Sequence, residues 1–122
     1  VDIDDVVKKI VKIGGERVLF VLLFGSRARG DARPDSDIDL AVYYEGDEKE
    51  RFRFRILAAG ELPDNVDLHV FQDLPLYVVH QALREGELVY VRDRNKAVSV
   101  LLRASRDAED FMYRMRVIAG AV

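Results

Sequence analysis

The run Val18-Leu19-Phe20-Val21-Leu22-Leu23-Phe24 stops abruptly at Gly25-Ser26. Seven consecutive apolar residues are enough for a strand buried on both faces and too few to span a membrane. Glycine at the end of such a strand lets another group come close to the backbone, and serine there can cap a short helix whose free N–H groups favour an anion. The junction reads as a phosphate seat. After a polar turn containing Pro34, the chain resumes as Asp37-Ile38-Asp39-Leu40-Ala41-Val42-Tyr43-Tyr44, where Ile38, Leu40 and Val42 alternate with Asp37, Asp39 and Ala41. That alternation predicts a strand. Residues two apart on a strand share a face, so the two carboxylates lie roughly 7 Å apart along the backbone, within reach of a common cation. They repel each other unless something positive lies between them, and magnesium, a hard ion that prefers oxygen, answers that need and the need of a nearby triphosphate.

Gly25-Ser26, then ten residues, then Asp37-Ile38-Asp39 resembles the signature of the DNA polymerase beta type nucleotidyltransferase superfamily. Within that superfamily, Gly-Ser-Arg-Ala-Arg-Gly at 25–30 and Ser-Asp-Ile-Asp-Leu-Ala-Val at 36–42 are most similar to the minimal nucleotidyltransferases (MNT), small proteins often paired with a HEPN-domain toxin. The resemblance covers residues 18 to 44. It implies an α/β (α+β) nucleotidyltransferase fold, a small mixed β-sheet packed by helices. It also implies transfer of AMP from ATP to a hydroxyl, a tyrosine of a HEPN toxin, with this chain as the antitoxin. Asp67 would be the third carboxylate, on a neighbouring strand. Arg29 would face the triphosphate, and Arg27 would share that role or pair with a carboxylate. For both arginines a solvated ion pair stays open. Two other readings also stay open: an enzyme acting on a small molecule such as an aminoglycoside, and a non-catalytic binding module.

The residues fit the chemistry. Nucleotidyl transfer asks the protein to manage negative charge, and two metal ions about 4 Å apart can activate the nucleophile and stabilise the leaving oxygen. Asp37 and Asp39 are assigned as ligands of two magnesium ions, Asp67 as the third carboxylate and a candidate general base, and Ser26 with the Gly25 backbone as the seat of the β and γ phosphates. His69 shares the strand face of Asp67, as a site-lining or a structural residue. Metal binding by histidine is not expected without a third nitrogen or sulfur donor. His80 has no assigned partner, and Tyr43 and Tyr44 are expected to pack.

A chain of 122 residues is expected to be one domain, 1–122. The net charge of −3 offers no general attraction to nucleic acid, which disfavours a grip on a long template. Without cysteine there is no disulfide framework, and without an apolar span of membrane length or a signal peptide a cytoplasmic protein is expected. Charged residues make up 34% of the chain against only Asn65, Asn95, Gln72 and Gln81 as amides, a lean towards a heat-adapted source.

The remaining elements follow from periodicity. Asp2 caps a first helix with Val6, Val7, Ile10 and Val11 on one side, stopped by Gly14-Gly15. A helix over 49–59 turns Phe52, Ile56 and Ala59 inward. A third strand over 65–71 sets Val66, Leu68 and Val70 against Asp67, His69 and Phe71. A helix over 75–84 and a short edge strand over 88–91 come next. A long C-terminal helix over 95–118 carries Val98, Leu101, Leu102, Ser105, Ala108, Met112, Met115 and Ala119 at helical spacing. If Ser26 is to meet Asp37 and Asp39, the first two strands must be antiparallel; if Asp67 is to join them, the third must run parallel to the second. The end of the long helix, from about Asp110, is expected to project and to contact the acceptor protein or a second copy as a homodimer.

Overall fold

The computed structural model describes residues 2–31, 33 and 37–121. The chain runs α1 (Ile3–Gly14), β1 (Val18–Phe24), a single turn α2 (Ser26–Arg29), β2 (Ile38–Tyr44), α3 (Glu48–Glu61), β3 (Val66–Val70), α4 (Leu76–Glu85), β4 (Glu87–Val91) and α5 (Arg94–Ile118). The turn expected at Pro34 lies outside the described residues. Asp2 caps α1 by accepting from the Asp4 N–H, as its position predicts. Asp47 and Glu50 form a reciprocal capping box on α3, and Asp93 caps α5.

The strands form one mixed sheet in the order β3-β2-β1-β4. β1 lies antiparallel to β2 and to β4, while β2 and β3 are parallel, with α3 as their crossover. Both expected pairings are therefore present, and β4 is an edge strand. β1 is buried along its whole length because helices cover both faces of the sheet. One face packs Val6, Val7 and Ile10 of α1 and Phe54 and Ala58 of α3 against Val21, Leu40, Val42 and Leu68. The other packs Val79 and Ala82 of α4 and Ala97 and Ala108 of α5 against Phe20, Leu22 and Ala41.

Two helical faces differ from the periodic reading. In α3 the buried residues are Phe54 and Ala58, whereas Phe52, Ile56 and Ala59 are exposed. The Tyr44 ring decides the rotation by stacking on Phe54 with centroids 4.3 Å apart. In α5 the inward residues are Ala97, Val100, Leu101, Ala104 and Ala108, while Val98, Leu102, Met115 and Ala119 are exposed. Alanines at 97, 104 and 108 present little side chain, and the helix turns that flank inward in preference to its larger one.

β2 outlasts β3, since the parallel ladder ends at Val42–Val70. Beyond it the Gln72 side chain takes over: its carbonyl oxygen accepts from the Tyr44 N–H at 3.2 Å and its amide donates to the Tyr44 carbonyl.

Candidate active site

Strand register builds the site. Phe24 is opposite Asp39, and Asp39 is opposite Asp67, so the last residue of β1 and the second residues of β2 and β3 form one row across three strands. Side chains at i and i+2 share a face, which places His69 beside Asp67 and on the Asp39 side of the sheet. Oxygen atoms of Asp39 and Asp67 and a ring nitrogen of His69 all lie within 4.8 Å of one another. His69 Nε2 is 3.1 Å from Asp67 Oδ2, and its ring is tilted against Phe24 with centroids 5.9 Å apart.

Gly25 completes the row. Its φ of +75° belongs to the region that glycine enters without penalty, and a Cβ there would collide with an Asp39 carboxylate oxygen. The group that comes close to this backbone is thus Asp39 itself. Ser26 then opens α2, in which the Arg29 N–H donates to the Gly25 carbonyl and the Asp31 N–H to the Ser26 carbonyl, both at 3.2 Å. Gly30, left-handed at φ +79°, ends the turn.

Burial, then the charge of Asp67, raise the Asp39 carboxyl above its ordinary value of 3.8, and Asp37 adds to this, while His69 and Arg29 oppose it. Asp37 is exposed and precedes the first residue of β2. Its charge is felt by Asp39, but it stands outside the cluster of Asp39, Asp67 and His69. Arg29 is held by Glu85 of α4 at 3.1 Å and by Asp31 at 3.3 Å. The ion-pair alternative left open for it is therefore present, although its charge still reaches Asp39. Arg27 is half-buried in the same turn. Tyr43 stacks on Phe20 and Tyr44 on Phe54, so both pack. His80 is half-buried on α4, away from the acidic row. Glu85 had no sequence signal as the anchor of Arg29, being 56 residues distant.

The donor set fits a divalent cation. Two carboxylates are held close, burial and then the second carboxylate push Asp39 towards protonation, and Gly25 leaves room for that crowding; a cation would relieve it. A cavity of about 650 Å³ opens beside the cluster, sharing His69 with it and lined further by Lys49, Arg51, Phe52, Arg55 and Asp73.

A mixed sheet that brings two aspartates to a Gly-Ser turn is the arrangement of a nucleotidyltransferase. Residues 7–95 match the model of the family described as polymerase beta, nucleotidyltransferase, and the chain belongs to that family. A Methanocaldococcus jannaschii protein named as a candidate protein adenylyltransferase is 28% identical over 74 residues, 61% of this chain and 57% of that protein. The match thus spans little more than half the length of this curated relative. Among solved structures, a toxin–antitoxin crystal structure with AMP-PNP superposes with a TM-score of 0.68 at 18% identity, covering 97% of this chain and 93% of that one. A complex of a tri-AMPylated Shewanella oneidensis HEPN toxin with its MNT antitoxin gives 0.61 at 17% identity, covering 97% and 90%. These likenesses establish the nucleotidyltransferase fold. Among the described residues no helix is long and apolar enough to cross a membrane.

Proposed function

We propose that this chain transfers AMP from ATP to a tyrosine hydroxyl of a HEPN-domain partner and neutralises that partner as its antitoxin. The single observation that supports the reading is that the Gly25–Ser26 turn closes on Asp39 while Asp39 and Asp67 stand opposite each other in register, which gathers the turn and two carboxylates at one end of the strands. Family membership supplies the reaction class, and the names of the structural neighbours supply the acceptor class.

In this mechanism the Ser26 hydroxyl and the backbone of the Gly25–Ser26 turn hold the β and γ phosphates, with Arg29 adding positive charge from its anchored position. Asp37, Asp39 and Asp67 would hold the divalent cations, with Asp39 and Asp67 as the close pair and Asp37 at the start of β2. Hard divalent ions, of which magnesium is one, suit these carboxylates, and the expected number is two. When bound, such cations neutralise the developing charge on the phosphates and the leaving oxygen. Asp67, exposed on edge strand β3, would take the tyrosine proton. The tyrosine oxygen then bonds to the α-phosphorus, the bond to the bridging oxygen breaks, and pyrophosphate leaves.

The acceptor protein docks on the outer part of α5, where Tyr113, Met115, Val117 and Ile118 are exposed. The test is label transfer from α-labelled ATP to the HEPN protein encoded beside this chain. Label on a partner tyrosine, lost with Asp39→Asn, is the expected result. Label on an aminoglycoside alone, or on nothing while the partner is still neutralised, would replace this reading by a small-molecule enzyme or a binding module.

A further inference from the structure

We propose that His69 is itself a metal ligand of the Asp39–Asp67 centre, and that its nitrogen gives the site a preference for manganese over magnesium. The inference rests on the reading of Asp39 and Asp67 as a cation site and adds to it a ligand and a choice of ion.

Geometry carries it. Ligands in adjacent positions of an octahedral ion of magnesium's size, each 2.0–2.1 Å from the metal, are about 2.9 Å apart and opposite ones about 4.1 Å, and both separations grow with a larger ion. His69 Nε2 and Asp67 Oδ2 are 3.1 Å apart, a separation suited to neighbouring donors on one ion. The Asp39 oxygen lies within 4.8 Å of both, so a small contraction brings all three to a shared centre. The presentation is also fixed by the backbone: His69 and Asp67 are i and i+2 on one strand, Asp39 is the register partner of Asp67, and Phe24 supports the imidazole ring. An isolated histidine beside a carboxylate would be a hydrogen bond and nothing more. Here a second carboxylate, that of Asp39, lies within the same reach of both groups, so three donors from two adjacent strands face one point.

The donor set then bears on the ion. Carboxylate oxygens suit manganese and magnesium alike, but an imidazole nitrogen is a softer donor that a first-row transition ion takes more readily than magnesium, so the histidine tilts the choice between these two towards manganese. The expectation that histidine needs further nitrogen or sulfur donors applies to zinc-type sites and is not a requirement for an ion of this kind.

The test is pulsed EPR on the full chain loaded with manganese, without nucleotide so that adenine nitrogen is absent, at natural abundance and with ¹⁵N-histidine. The expected result is a nitrogen coupling that changes from ¹⁴N to ¹⁵N with the label and disappears in His69→Gln, in which the other histidine, His80, remains. Loss of an outer-shell partner already costs about tenfold in metal affinity, so His69→Gln should weaken manganese by at least ~tenfold and magnesium by less. Circular dichroism checks that the variant is folded, and the labelled parent protein decides the matter if it is not. Manganese bound without histidine coupling, no manganese bound, or an unchanged manganese-to-magnesium ratio in His69→Gln would each overturn the proposal. Uncoupled manganese together with AMP transfer would sink only the ligand role of His69. Coupled manganese without transfer to a HEPN protein would sink only the acceptor assignment.

Discussion

The end of the sheet that carries Asp39 and the outer end of α5 are built on opposite terms. At the sheet end, position is dictated by backbone register: three strands, one row, and a glycine that alone allows Asp39 to sit against the Gly25–Ser26 turn. In α5, position is dictated by nothing beyond the helix itself once Met112 is passed. Phe111 and Met112 are half-buried and every described residue from Tyr113 onward is exposed. The 25-residue helix is about 37 Å long, more than the sheet beneath it can cover. Under the proposed function, the contrast teaches that the reaction would depend on residues fixed by strand register, whereas recognition of a partner would fall to residues that the fold does not use.

The comparison breaks most sharply at Asp39. Asp39→Asn should lower AMP transfer by at least ~10²-fold, the scale of losing one charge-stabilising group, while the melting temperature of the metal-free protein holds or rises. A variant with near-parental transfer would move the site elsewhere. Gly25→Ala comes next, because it attacks register and chemistry together. The positive φ costs about 1–2 kcal/mol in stability, and the added Cβ displaces the Asp39 carboxylate, so thermal stability and transfer should fall together. Full activity in a destabilised protein would confine Gly25 to structure.

The α5 end should show the reverse. Met115→Asp combined with Ile118→Asp should leave stability within about 0.5 kcal/mol of the parent, as exposed positions do, and end co-purification with the partner. Met112, being half-buried, is less suited to separate folding from docking. Unfolding of the Met115–Ile118 pair would return this surface to the core.

The smallest effect sharpens the electrostatic half of the contrast. The folded state holds the Asp39 proton to higher pH than the unfolded chain does, so native protein binds more protons in that window. Stability of the metal-free protein should therefore fall as pH rises from about 3.8 through the raised value, with the loss complete above it. Melting curves across that range should show the slope, and Asp39→Asn or added divalent ion should flatten it.

Most of the sheet was legible in the sequence because period-two patterns and the Gly-Ser break leave few alternatives. The need to gather Ser26, Asp37, Asp39 and Asp67 then fixed which strands run parallel. Helix faces were less legible. The stretch Arg51-Phe52-Arg53-Phe54-Arg55-Ile56-Leu57 offers apolar residues to both sides of α3, and only Tyr44, on another element, selects Phe54. In α5 the alanines that face inward carry little weight in a periodicity count, whereas exposed Val98 and Leu102 carry a great deal. The site shows the same limit: alternation put His69 on the face of Asp67, but its distance from the carboxylates depends on sheet twist and on Phe24, which no spacing rule contains.

The Gln72 clasp on Tyr44 has a consequence for how copies of this protein coexist at high concentration. A strand that outlasts its neighbour presents a bare N–H and C=O, which is a template for any passing extended chain. By supplying one donor and one acceptor at the right spacing, a single amide does the work of the missing strand residue, and the sheet ends there without inviting another to continue it.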